Sequence, residues 1–180
     1  MAALSITGAL VLKGEYSNDK TTPGVTLPVM ATPGTHRTLV TCVVPVDPGD
    51  VLDVDARARV TNDTGVARGD DGYTVGTGAN LWAYDADPEP DETGKVPEVA
   101  DRPWTPIAPS WGENVTRDLH HLPIDVTAHW QVPATWPAGH RAVIVLRANA
   151  HSTAAVSGDT LTVDAAYTLI KVSRKGLAPA

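Results

Sequence analysis

Six histidines, one cysteine and twenty-one carboxylates are the groups with which this 180-residue chain could do chemistry. His120 and His121 are adjacent, and His129 and His140 follow. Neighbours on a strand face opposite sides, so the pair cannot close on one metal without distortion. His121 and His129 share parity, but eight residues of straight strand span roughly 26 Å. Hydrogen-bonded imidazoles at the start of a strand, or in a subunit contact, fit the spacing better. A weak pH sensitivity near neutrality would follow from the imidazole. Asp53 and Asp55 share a strand face about 7 Å apart, a separation that would suit glycoside hydrolysis. Arg57 and Arg59 continue the same face with no aromatic residue between them, as on a solvated strand. Asp47 with Asp50, Asn62 with Asp63, and Asp70-Asp71-Gly72 match no calcium loop and read as turns.

Nucleophiles are no more convincing. Cys42 lies in the apolar run Thr41-Cys42-Val43-Val44, where a thiol behaves as a small hydrophobe with a raised pKa. No serine sits in a Gly-x-Ser-x-Gly elbow, and there is no phosphate loop or dinucleotide fingerprint. Arg68-Gly69-Asp70 falls in a Gly/Asp turn cluster, and three residues recur by chance. The sequons at Asn62 and Asn114 are read the same way. The sequence therefore predicts no catalytic residue, no cofactor and no metal site.

Tryptophan is the more informative type. Five of the nine aromatics are Trp, there is no Phe, and Trp104, Trp111, Trp130 and Trp136 fall within one stretch. Exposed, they would stack on sugars or seat a partner; buried, they would form core or intersubunit packing.

Positioning these groups falls to strands. In Leu52–Thr61, Leu52, Val54, Ala56, Ala58 and Val60 alternate with Asp53, Asp55, Arg57, Arg59 and Thr61, a half-buried strand with a wet face suited to cross-strand ion pairs. Asp47-Pro48-Gly49-Asp50 before it is a turn, and Thr38–Val46 ahead of that is a β-branched strand. Ala142–Leu146 is apolar throughout, which means burial on both faces or a subunit contact. After a turn at Ser157-Gly158-Asp159, Leu161, Val163, Ala165, Tyr167 and Leu169 alternate with Thr160, Thr162, Asp164, Ala166 and Thr168 as one further half-buried strand. The pattern blurs at Ile170 and Val172, as at a bulge or an interface. Shorter strands are expected at Ser5–Tyr16, Gly24–Ala31, Ala79–Tyr84, Val115–Arg117 and Ile124–Gln131. Fifteen Gly, fifteen Pro and no helical period make this an all-β chain, an antiparallel β-sandwich of jelly-roll type.

Composition bounds the partners. Hydrophobic residues are 42% and the net charge is −7, which opposes binding to nucleic-acid phosphates. Met1–Leu12 is mildly apolar, lacks a preceding positive residue and is broken by Ser5, Thr7 and Gly8, so it reads neither as a signal peptide nor as a membrane span. Much of the charge is local. Asp85–Pro109 holds six prolines, and Asp85–Pro103 holds seven acids against Lys95 and Arg102. A loop that long is functional, mobile or a solvated excursion. Trp104 and Trp111 flank its exit and would anchor it if it reached a neighbouring subunit. Residues 1–35 are read as N-terminal strands or a docking arm, and residues 36–180 as the sandwich with its excursion at 85–111.

Two stretches carry a family resemblance. One is Val44-Pro45-Val46-Asp47-Pro48-Gly49-Asp50-Val51-Leu52-Asp53-Val54, running on to Val60-Thr61-Asn62-Asp63. The other is Gly112-Glu113-Asn114-Val115 through His120-His121, then Ala142–Ala150 and the closing Leu161–Val172. Together they resemble minor tail, minor capsid or decoration proteins of tailed phages infecting actinobacteria, over about two thirds of the chain. The Lys-poor, Ala/Val/Asp/Arg-rich usage suits a high-GC host. The resemblance implies a jelly-roll-like sandwich on a virion, commonly trimeric, and transfers no functional residue.

The expectation is a non-enzymatic virion structural protein, a homotrimer packed against major capsid or tail proteins. Its interface candidates are Trp104, Trp111, Trp130, Trp136, His120, His121, Val143, Val145, Ile170 and Val172. The alternative is a carbohydrate-binding module that recognises a host-surface glycan. Neither reading involves a membrane or nucleic acid.

Overall fold

A computed structural model describes residues 9–18, 25–34, 36–62, 64, 73–90, 92, 95–116 and 121–177. The described chain is all β. Its strands are β1 (Leu10–Asn18), β2 (Thr26–Met30), β3 (Arg37–Pro45), β4 (Val51–Thr61), β5 (Val75–Asp85), β6 (Thr105–Pro106), β7 (Trp111–Val115), β8 (Leu122–Gln131), β9 (Arg141–His151), β10 (Thr160–Val163) and β11 (Leu169–Leu177).

They form the expected jelly-roll-like sandwich. In the first layer β1, β11, β4 and β8 are neighbours, with β10 beside the far end of β4. In the second, β3, β9 and β5 are neighbours, and β7 and β6 share the far side of β5. β2 joins the layers. Its Thr26–Pro28 half pairs with β10, while Val29 and Met30 pair with Ala150 and His151 of β9, the one parallel ladder among the described residues. A strand that changes sheets makes a corner of this kind.

Alternation explains the core. Leu52, Val54, Ala56, Ala58 and Val60 of β4 meet Ala142, Ile144, Leu146, Ala148 and Ala150 of β9 in one apolar cluster. Gly49 adopts φ +81° in the Asp47–Asp50 turn, a conformation open to glycine without strain.

The expected single strand from Leu161 is corrected. It breaks at Ala165–Tyr167, a turn of 3-10 helix. Asp164 accepts from the Ala166 N–H and ion-pairs with Arg59, whose guanidinium lies 3.3 Å from the centre of the Tyr167 ring. Tyr167 is therefore exposed, and the turn resets the parity so that Ile170 and Val172 point inward. That reset is the source of the blurred pattern.

The β1 and β2 strands lie within the sandwich. In the described part of the 85–111 stretch, Val99–Asp101 forms a turn of 3-10 helix and Thr105–Pro106 returns to β5 as β6. His120, Arg117, the Arg68-Gly69-Asp70 motif and residues 1–8 lie outside the described residues.

Candidate functional site

The outer face of the first sheet is a grid of charge. Asp53 accepts from Lys175 and lies 2.5 Å from His129 Nδ1; Arg57 meets Asp55 and Asp125. The Lys175 hydrogen bond, then that of His129, holds the Asp53 carboxyl below its ordinary range. Asp53 and Asp55 are thus a solvated ion-pair face. One corner departs from it. Leu10 and Leu12 of β1, with Leu177 opposite Leu10 on β11, are exposed, and Leu12 stands 59% exposed. Val11 beside them is exposed as well. Among the described residues β1 has a ladder with β11 alone, which makes it an edge strand.

Below this corner the sandwich end is closed by a charge cluster. Asp50, 2% exposed, accepts from Lys13 Nζ at 2.9 Å and Arg174 Nε at 2.5 Å, while Arg174 Nη2 also meets Asp47. Buried carboxylates persist only when paired in this way.

The outer face of the second sheet is different. Tyr84, Trp82 and Asn80 of β5 stand opposite Val143, Val145 and Arg147 of β9. The 85–111 excursion folds back over these rows. Trp104 packs on Tyr84 with ring centres 4.6 Å apart, and Trp104 Nε1 donates to the Val99 carbonyl. Arg102 donates to the carbonyls of Pro97, Asp85 and Ala86, and Ile107 N–H donates to Leu81. His140 Nδ1 lies 2.8 Å from Asp85 at the root of the excursion. From the other side, Gly34 and His36 reach the same face. Arg147 Nη2 donates to the His36 carbonyl at 2.9 Å, and Asn149 Nδ2 reaches Gly34.

The sequence-derived interface residues divide accordingly. Val143, Val145, Ile170 and Val172 are 7%, 1%, 0% and 1% exposed, all covered by this chain itself. The apolar run of β9 is buried on both faces, inward by the first sheet and outward by the returning excursion. In the single chain all four side chains are packed inside the sandwich. Trp111, Trp130 and Trp136 pack against the core, and Trp130 and Trp136 form an edge-to-face pair 5.7 Å apart. The four indoles therefore do not form a common sugar platform. Trp104 alone of the four lies on an outer face. His121 is exposed at φ 76°, with Nδ1 3.0 Å from Thr61 Oγ1. Cys42 is buried, and burial pushes its thiol up to about 11. Asn62 is buried with its amide on the Val115 carbonyl, which removes it as a glycan acceptor.

The sequence reading missed the Leu10–Leu12–Leu177 corner and the Arg147–His36 pair. The first was visible only as an apolar opening stretch. The second joins residues 111 positions apart, and nothing local signals it.

No family model and no curated protein matches the sequence. Among solved structures, a chain of infectious bursal disease virus, Gx strain, is 10% identical with a TM-score of 0.45, over 93% of this chain and 38% of that one. A chain of the T13 particle of the same virus is 11% identical with a TM-score of 0.44, over 100% and 44%. The xylanase 10B CBM22-1–GH10 modules of Clostridium thermocellum, in complex with xylohexaose, follow at 10% identity and a TM-score of 0.28, over 95% and 26%. This chain spans less than half the length of each.

Proposed function

We propose that the chain is a non-enzymatic structural subunit of a virion, a trimeric capsid decoration or tail-associated protein of a tailed phage, acting through subunit packing. The observation that carries this reading is the leucine corner. On an outer face otherwise built of ion pairs, Leu10, Leu12 and Leu177 stand exposed beside a sheet edge with no strand partner among the described residues. Exposed apolar patches next to unpaired strand edges mark places where another chain is buried. The three-fold form and the phage setting come from the sequence resemblance. In a three-fold ring the corner of one copy meets a different surface of the next, a heterologous contact that closes.

The test is mass and location. Light scattering on the purified chain should give three times 18.9 kDa, about 57 kDa, and the protein should co-purify with intact particles. A monomer at all concentrations, together with absence from particles, rejects the reading.

A further inference from the structure

We propose that Arg147 and His36 form an anion site on the outer face of the second sheet, which takes the carboxylate of a Glu or Asp side chain on a partner protein.

The arginines point to it. Arg57, Arg59, Arg141 and Arg174 each meet a carboxylate of this chain, and Arg102 is held by three carbonyls. Among the described residues Arg147 and Arg37 meet none, and of these two Arg37 is exposed to solvent while Arg147 is half-buried. Its Nη2 donates to the His36 carbonyl, its guanidinium lies 5.1 Å from the Trp104 ring centre, and its buried Nε has no acceptor. A half-buried guanidinium without a counter-charge carries a desolvation cost, and a carboxylate matches its forked donors.

His36 supplies the second donor. Trp82 Nε1 donates to Asn80 Oδ1 at 2.7 Å, which leaves Asn80 Nδ2, 3.2 Å from His36 Nε2, as the donor in that contact. The amide orientation therefore places the imidazole proton on Nδ1. Burial and the nearby Arg147 charge lower the His36 pKa, which favours the neutral ring with its N–H at that position. Asn80, 7% exposed, is fixed by both neighbours, so the relay is built into the sheet.

The surroundings favour a protein ligand. Trp82, Tyr84, Trp104 and Arg147 are the residue types that concentrate at the centres of protein interfaces. Val43, paired with Val143 in the next row, is 48% exposed, and Val99, whose carbonyl holds Trp104, is 45% exposed. An acidic side chain flanked by apolar ones would meet both the donors and this rim. The site lies on the opposite sheet from the leucine corner and does not depend on the assembly reading.

The test titrates the full chain with a hexaglutamate peptide, followed by tryptophan fluorescence and by the shift in thermal midpoint. Inorganic phosphate and glucuronate serve as competing probes. Saturable hexaglutamate binding that weakens about tenfold in Arg147→Gln and at least threefold in Arg147→Lys supports the site. His36→Gln should weaken it by an intermediate factor. Arg147→Lys keeps the charge and the stem, so it decides the matter if Arg147→Gln does not fold. No saturable binding, or equal binding by wild type and folded variants, overturns the proposal. Tighter binding of phosphate or glucuronate than of the peptide also overturns it, by removing the protein ligand.

Discussion

Lys13 reaches the buried carboxylate of Asp50 across the bare backbone of Gly176. A Cβ at Gly176 would fall well inside contact distance of Lys13 Cε, Lys13 Nζ and Asp50 Oδ1. Three distant segments meet at this point, namely edge strand β1, the 47–50 turn and the end of β11. The missing side chain is therefore a requirement of the ion pair. Gly176→Ala should destabilise the fold by about 2 kcal/mol, because the pair must separate or the strands part. Asp50→Ala should cost more, about 3–5 kcal/mol, since it leaves Arg174 without its buried partner. Urea unfolding of both variants checks the order. If Gly176→Ala proves neutral, Lys13 is not held where the structure places it.

Acid should destabilise the protein in two separate ranges. His36 has a lowered folded pKa, so the unfolded chain binds its proton more readily. Its contribution is complete above the ordinary histidine value of about 6.5 and is lost as pH falls below it. Asp53 and Asp87 are depressed carboxylates, held down chiefly by Lys175 and Arg141 respectively. Their contribution is complete above about pH 4 and is lost as pH falls through their folded values. Thermal midpoints should thus decline as pH falls below about 6.5 and again as it falls below about 4. His36→Gln should flatten the upper range alone. An unchanged slope there would assign it to another histidine.

Much of this architecture was legible because β4 and the start of β10 obey a two-residue rhythm that water enforces on one face. β9 was legible as doubly buried or shared. Only the structure shows that Val143 and Val145 are buried beside Tyr84 and Trp82 of β5, with Trp104 packed on Tyr84. The first half of β5 was missed because Gly76 and Gly78 remove the side chains on which a strand pattern depends. The break at Ala165–Tyr167 was missed because its cause is Arg59, more than a hundred residues away. Pro106 concealed β6, since proline cannot donate to a ladder. The candidate site was the least legible part. A leucine destined for exposure looks the same in sequence as one destined for the core.

Trp136 closes the end of the sandwich by meeting Trp130 edge to face at 5.7 Å. Both rings are half-buried against the core. Trp136→Ala removes apolar contact and the aromatic pair, together about 2–3 kcal/mol. The variant should also show a weaker near-ultraviolet circular dichroism band while its far-ultraviolet spectrum stays that of a β protein. Loss of less than about 0.5 kcal/mol would place Trp136 at an ordinary surface position.

Cys42 should be chemically silent in the folded protein. With its pKa near 11, only about one thiol in a thousand is ionised at pH 8, and the side chain is buried besides. Ellman's reagent should therefore react at the rate of unfolding in native buffer and at once in 6 M guanidinium. Rapid labelling of the native chain would mean that β3 opens locally.

Leu12→Asp and Leu177→Asp separate assembly from folding. Both side chains stand more than half exposed, so a charge there should change the stability of the isolated chain by less than about 0.5 kcal/mol. Within an oligomer the same charge would be taken out of water with no partner and would oppose association strongly. The double variant should therefore unfold at the wild-type denaturant midpoint when both are measured at low concentration, yet run as a monomer where the wild type does not. Leu12→Met, which keeps the apolar contact, should restore the larger species. If the double variant keeps the wild-type mass, subunit contact lies elsewhere on the sandwich and the exposed leucines take no part in it.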